Sequence, residues 1–304
     1  MQGSITELAK SYVEVTKPPI VLLLVFTSVA SMVVAWSKTL IQFNATLFMI
    51  AAASITLASA GCDTLTSYID RDIDAVMKRT KRRPIPSGRI GATGALLWGL
   101  ILSGGGMLLA LYINFLSFLW ITLGVLDNVI VYSLLLKRRS PTNIILGGVS
   151  GGLPVLFGWS AIANNITLLP ILLAALLVLW IPGHIWSLAI FTKTDYTRAH
   201  IPMLPVVTKL KTALRCIVST TVLMIPFSLW IYFEGSFGLI YLTVALAFGV
   251  AILYINLQLF LHPTNRMAYF AFKISSPYLF TLFLAMIIDT IVKMQLLASP
   301  VLII

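Results

Sequence analysis

The sequence predicts an all-α, polytopic membrane protein, and three observations carry that expectation. Of its 304 residues 59% are hydrophobic and only 10% charged, where a soluble domain carries about 25% charged residues. Mean hydropathy is +0.98. Nine stretches approach the roughly 20 apolar residues that a spanning helix needs. None alternates apolar and polar residues, and lipid admits only helices or closed barrels as spanning structures.

The spans are expected over 20–36, 44–66, 94–112, 115–136, 144–163, 168–190, 212–233, 237–260 and 275–297. The first follows "EVTKPPI" with no small-residue cleavage pattern after it, as an uncleaved anchor does. Asp63 and Asp127 fall inside the second and fourth spans, where a charge is costly and points to function by default. Glycines in "SGGGM" (103–107) and "GGVSGG" (147–152) favour close helix packing, with room for a bulky ligand as the alternative. The sixth span holds His184 between Trp180 and Trp186, either a structural imidazole or an axial ligand for haem iron. Asp289 and Lys293, one turn apart, are expected to pair at the interface. No soluble domain or long linker interrupts the pattern, so 1–304 reads as a single transmembrane domain.

The net charge of +11 raises the question of nucleic acid, but its distribution answers against it. The side of the membrane that holds the N-terminus carries Lys10, Lys17, seven cations between the second and third spans, Lys137, Arg138 and Arg139. It also carries Lys193, Arg198, Lys209, Lys211, Arg266 and Lys273. The other side has little beyond Lys38 and Lys293. This asymmetry predicts an integral cell-membrane protein with a cytoplasmic N-terminus and an external C-terminus, its basic face suited to anionic lipid or an anionic substrate. Cys62 and Cys216 lack metal-type spacing and read as packing residues.

One stretch stands out. "SYIDRDIDAVMKRTKRRPIP" (Ser67–Pro86) holds three of the ten acidic residues and six of the twenty-one basic ones. If the second span continues helically, Asp63, Thr66, Asp70 and Asp74 lie on one face while Asp72 points away. Two facing carboxylates repel unless a cation intervenes, and hard oxygen ligands select Mg²⁺ or Ca²⁺. Mg²⁺ commonly uses one or two carboxylates plus substrate phosphates. Arg79, Arg82 and Arg83 suit a metal-bound polyphosphate. A solvated loop whose acids balance its bases accounts equally for the spacing.

Two further polar stretches are expected on the same face. "FTKTDYTRAHIPMLPVVTK" supplies Lys193, Asp195, Tyr196, Arg198 and His200; "LKRRSPTN" supplies Lys137, Arg138 and Asn143. Together the three could funnel an anion toward one mouth; singly, each reads as a topology signal.

These stretches, with "TKPPIVLLLVFTSVASM", "YSLLLKRRSPTNIILGGVSGGLPVLFGW" and "HIWSLAIFTKTDYTRAHIPMLPVV", resemble in order the UbiA superfamily of intramembrane prenyltransferases, in its protohaem IX-farnesylating branch. The resemblance implies nine transmembrane helices around a central cavity capped by Asp-rich loops. It implies Mg²⁺-dependent transfer of a farnesyl group from farnesyl diphosphate to a vinyl of haem B. Water then adds to give the hydroxyethylfarnesyl group of haem O, on the route to haem A for terminal oxidases. Haem B is a substrate, Mg²⁺ the cofactor, membrane lipid the surroundings. A contact with the next haem-modifying enzyme or a terminal oxidase assembly stays open.

By the same resemblance Asp70, Asp74 and Asp195 are the metal ligands, and with Arg79, Lys137 and Arg138 they form the catalytic set. Thr66, Arg83, Asn143, His184, Lys193, Tyr196 and Arg198 are the substrate-binding set. Thr66 stands where superfamily members usually carry Asn, Gly183 where Pro usually precedes the histidine, and His200 where Gly or Asn is common. Three other readings remain: a prenyltransferase for a quinone precursor or lipid glycerol, a transporter using Asp63 and Asp127, and a non-catalytic haem-binding assembly protein.

Overall fold

A computed structural model of the chain describes residues 5–39 and 42–298; the expected external C-terminus lies outside the described residues. Among those residues the architecture is helical, without strands. A short helix α1 (Ile5–Val15) leads into the first span, α2 (Pro18–Thr39). The next spans are α3 (Ala45–Ile69), α5 (Ala92–Ile113), and α6 (Phe115–Leu126) with its π-helical continuation Asp127–Leu136. Then come α7 (Asn143–Gly147) and α8 (Val149–Ala163), α9 (Leu168–Phe191), α12 (Leu210–Glu234), α13 (Leu239–Leu261) and α14 (Asn265–Ala298). Short helices α4 (Arg71–Val76), α10 (Lys193–Arg198) and α11 (Leu204–Val207) lie in the two long connections. Nine spans among the described residues are long and apolar enough to cross a bilayer.

The spans form a ring. Each packs on its successor in the chain, and α14 closes the circle against α2. The interior is divided, because α2 also packs on α8 and α14 on α9. An apolar cleft of about 500 Å³ remains between α2, α3, α6 and α8.

Helices in lipid gain nothing from burying hydrocarbon against hydrocarbon, so contact depends on close packing. Gly61 of α3 lies directly against Ser103 and Gly99 of α5, and Gly106 of α5 against Ala58 of α3. A methyl at Gly106 would come 2.5 Å from the Ala58 backbone nitrogen. The glycine-rich stretches therefore seat helices on one another, and "GGVSGG" does the same for α8 against α9 and Tyr132.

Two expectations change. The last span begins at Asn265 rather than 275, because the helix continues through interfacial turns where Lys273 lies over the Tyr269 ring at 5.8 Å. Asp289 and Lys293 do not pair with each other. Buried Asp289 accepts the Gly238 N–H, while Lys293 donates to the Ser236 carbonyl at 2.6 Å. Both tie α14 to the α12–α13 turn, whose exposed carbonyl and N–H offer nearer partners than the neighbouring helical turn.

Asp127 is likewise structural. It accepts the Ser150 N–H at 2.9 Å, satisfying a donor at the start of α8 that has no intrahelical partner.

Candidate functional site

Three polar connections converge at one end of the ring because their apolar residues form one small core. Ile73 and Met77 from the first, Ile144 from the second, and Tyr196, Ile201 and Met203 from the third are all buried together beside Trp186 of α9. Burying each such side chain contributes about 1.5–3 kcal/mol. The charged residues between them are thereby held around a common mouth.

The aspartates are placed by this packing. Asp70 caps α3, and Asp74 lies one turn on. The helix is interrupted between them, yet the Asp74 N–H still bonds the Asp70 carbonyl at 2.8 Å, so both stay on one face. Asp70, Asp74 and Asp195 are all buried, at 4%, 4% and 6% exposure, and a buried carboxylate needs partners.

Each has a different set. Asp70 Oδ2 accepts from the Lys137 ammonium, while its Oδ1 is buried with no hydrogen-bond partner. Both Asp74 oxygens accept from Arg83, at 2.8 and 3.1 Å. Asp195 Oδ1 and Oδ2 accept the backbone N–H groups of Lys78 and Arg79, at 3.1 and 3.2 Å. The second acidic stretch is thus hooked onto the first. Asp72 faces away, exposed, and forms a two-pronged pair with Arg138 at 2.7 Å.

Lys137 leaves the π-helical stretch through an N–H bond to the Tyr132 carbonyl at 2.8 Å, five residues back. Its ammonium lies over the Tyr132 ring at 5.4 Å. Burial works against that charge, but Tyr132 and the Asp70 carboxylate hold it above the usual lysine range. Asn143 is fully buried; its amide donates to the Lys137 carbonyl at 3.3 Å, and its Oδ1 has no partner. The hydrogen bonds from Arg138 hold Asp72 below the ordinary carboxylate range.

Of the other expected residues, Arg79, Lys193 and Arg198 have exposed side chains at the mouth. Arg198 Nη1 lies 3.8 Å from Asp195. Tyr196 is packed in the small core instead of facing the mouth. Thr66 is buried, donating to the Asp63 carbonyl at 3.0 Å. His200 adopts φ +54°, the left-handed region where a side chain is uncommon. His184 is set apart from the aspartates. Its Nδ1 is 2.5 Å from Ser275 Oγ, and its ring lies between Trp180 and Phe272, with centroids 4.5 Å from each.

The mouth also contains a group that sequence reasoning used only as a topology signal. Lys17, between α1 and α2, donates 3.0 Å bonds to both Asp63 Oδ1 and Thr66 Oγ1. The left-handed backbone of Lys17, which turns it back onto α3, has no sequence signature. Glu14 of α1 grips Arg89 at 2.5 and 2.8 Å.

Hard oxygen donors dominate the mouth, and the unpartnered Asp70 Oδ1 is a lone pair available to a small cation. Among the described residues no three His, Cys, Asp or Glu side chains cluster tightly enough to cage a metal by themselves. The three aspartates expected to hold a metal are thus not gathered into one cluster: Asp74 is taken up by Arg83 and Asp195 by the Lys78 and Arg79 amides. Mg²⁺ needs only one or two carboxylates and completes its octahedron with phosphate oxygens and water.

A buried carboxylate mouth beside an apolar cleft, in a ring of nine spans among the described residues, defines the class. The chain belongs to the UbiA prenyltransferase family, whose model matches residues 23–286, and it is a membrane-embedded prenyltransferase. It is 52% identical to a protoheme IX farnesyltransferase of Desulforudis audaxviator over 284 residues, covering 92% of this chain and 88% of that one. It is 40% identical to a protoheme IX farnesyltransferase of Thermoplasma volcanium, covering 91% and 96%. Among solved structures, digeranylgeranylglyceryl phosphate synthase matches with TM-score 0.75 at 21% identity over 94% of this chain and 99% of that one. A UbiA homologue of Archaeoglobus fulgidus bound to GPP and Mg²⁺ matches with TM-score 0.67 at 16% identity over 91% and 99%. Those two likenesses concern the fold.

Proposed function

We propose that the chain transfers a farnesyl group from farnesyl diphosphate to a vinyl group of haem B, giving haem O and diphosphate. The observation that carries this reading is the docking of Asp195 onto the Lys78 and Arg79 amides. It sets the second acidic stretch beside the first, so that one diphosphate can be shared between them. The acceptor follows the relatives at 52% and 40% identity, which bear the protoheme IX farnesyltransferase name.

Asp70, Asp74 and Asp195 would hold Mg²⁺, which when bound draws charge from the diphosphate and makes it a better leaving group. Lys137, Arg79 and Arg83 supply fixed positive charge around the same oxygens, complementing negative charge as it grows on the leaving group. Arg138, tied to Asp72 and to the Ile69 carbonyl at 3.0 Å, holds the Lys137 turn in place. Asn143 fixes the same turn through the Lys137 carbonyl. Lys193 and Arg198 attract the anion at the rim. Tyr196 acts through packing.

The prenyl chain has hydrocarbon walls in the apolar cleft, which exclude water while the allylic cation exists. The vinyl π electrons form the new carbon–carbon bond. Water then adds to the cation left on the haem substituent and releases a proton. His184, with Nδ1 engaged by Ser275, has Nε2 to offer the haem iron, and Trp180 and Phe272 offer it flat apolar neighbours. The whole chain acts as one membrane unit with its mouth toward the cytoplasm, on the side where cations are concentrated.

The test is an acceptor competition. Membranes containing the chain, farnesyl diphosphate and Mg²⁺ are offered haem B and a quinone precursor together, and extracted products are weighed by mass spectrometry. Farnesylated haem with an unmodified quinone precursor is expected; prenylation of the quinone precursor alone would replace the acceptor while sparing the prenyl-transfer chemistry.

A further inference from the structure

We propose that Lys17 is a further catalytic residue, whose ammonium contacts the oxygen joining the prenyl carbon to the diphosphate. This rests on the prenyl-transfer reading above and assigns a group at the same site. Two cavities flank Lys17. One, of about 410 Å³, is lined by Lys17 itself with Asp74, Arg83 and Glu14, among apolar residues such as Val15 and Ile85. The other is the apolar cleft of about 500 Å³, whose lining includes Asp63. Lys17 Nζ bonds Asp63 Oδ1, so the ammonium links the pocket that contains Arg83 to the apolar cleft.

A prenyl diphosphate has the same division. Its charged end suits Lys17 and Arg83, its tail suits the cleft, and the bond to be broken is the junction. Lys17 is partly buried, at 19% side-chain exposure. Its φ of +52° is a costly conformation for a residue with a side chain, and such strain gathers at functional positions. The Glu14–Arg89 pair holds the end of α1 against the loop that supplies Arg83, fixing Lys17 between them.

The step balances without any other reagent. The allylic C–O bond breaks heterolytically, and its electron pair stays on the diphosphate oxygen. A Lys17 N–H hydrogen-bonds that oxygen and keeps its proton. The acceptor's π pair forms the new bond. Asp63 and Thr66 hold the ammonium in place before substrate arrives.

The test compares Lys17→Met with the double variant Lys17→Met/Asp63→Asn, in which no charge is left unpaired in the membrane. Two readouts are used on the full-length protein: prenyl-transfer turnover, and thermal stabilisation by inorganic pyrophosphate with Mg²⁺, which needs no acceptor. Lys17→Met is expected to lower kcat about 100-fold, the size typical of losing one donor to a developing oxyanion, and to reduce the pyrophosphate shift. The double variant is expected to remain as impaired on both readouts. Recovery of turnover and of the pyrophosphate shift in the double variant would overturn the proposal, leaving Lys17 only as the counter-charge of Asp63. Wild-type protein that is stabilised by pyrophosphate yet leaves haem unmodified would instead overturn the acceptor assignment alone.

Discussion

Asp195 accepts the backbone N–H of Arg79 at 3.2 Å, across 116 residues of chain. With the matching bond to Lys78, this turns two separate connections into one cap. Asp195→Ala leaves both amides without their acceptor and unhooks the two connections from each other. Turnover should fall at least tenfold, and the loop around Lys78 should become susceptible to limited proteolysis. Asp195→Asn keeps one carbonyl oxygen and should fall between Ala and wild type in proteolysis.

Removal of divalent metal should abolish turnover, and added Mg²⁺ should restore it. Asp70→Ala should not be restored by any Mg²⁺ concentration, since it removes the unpartnered Oδ1 and also strands Lys137. Activity measured across a Mg²⁺ titration, with chelator as the zero point, checks both statements.

His184→Ala should weaken haem binding about tenfold or more, read from the Soret band. The pyrophosphate-induced thermal shift should be unchanged, because His184 contacts Ser275, Trp180 and Phe272 and none of the aspartates. Loss of both signals together would place the histidine in the general stability of the α9–α14 contact.

Acid should loosen the Asp72–Arg138 tie. Asp72 is held below its unfolded value, chiefly by the Arg138 hydrogen bonds. Its contribution is therefore fully present above the ordinary Asp value of about 3.9, and is lost as pH falls through the depressed folded value. Thermal scans taken from about pH 6 down to about pH 3 should show an acid-side decline that is shallower in Arg138→Gln.

Composition alone was enough for the membrane class, since nothing else solvates so apolar a chain, and eight span starts fell close to where hydropathy put them. The last span was placed late because Arg266 and Lys273 end a hydropathy window but not an interfacial helix. The π-helical turn after Asp127 was illegible, because i→i+5 bonding has no separate residue signature. Within the site, the shared face of Asp70 and Asp74 was legible from helical spacing. The Asp195 hook was not, because its partners are backbone amides that every residue carries. Lys17 was read only as a topology charge; its partner Asp63 is distant in sequence, and only the α2–α3 packing brings the two together. Asp289 and Lys293 misled for the opposite reason, since neighbours along a helix are not obliged to choose each other.

The central claim is that carboxylates at this mouth direct prenyl transfer to haem. The direct measurement is the mass of haem extracted after membranes bearing the chain are incubated with haem B, farnesyl diphosphate and Mg²⁺, beside an Asp70→Ala control. The expected product is a haem heavier by one farnesyl group and one hydroxyl, with none in the control. Unchanged haem from folded wild-type protein, or equal product from Asp70→Ala, would contradict it.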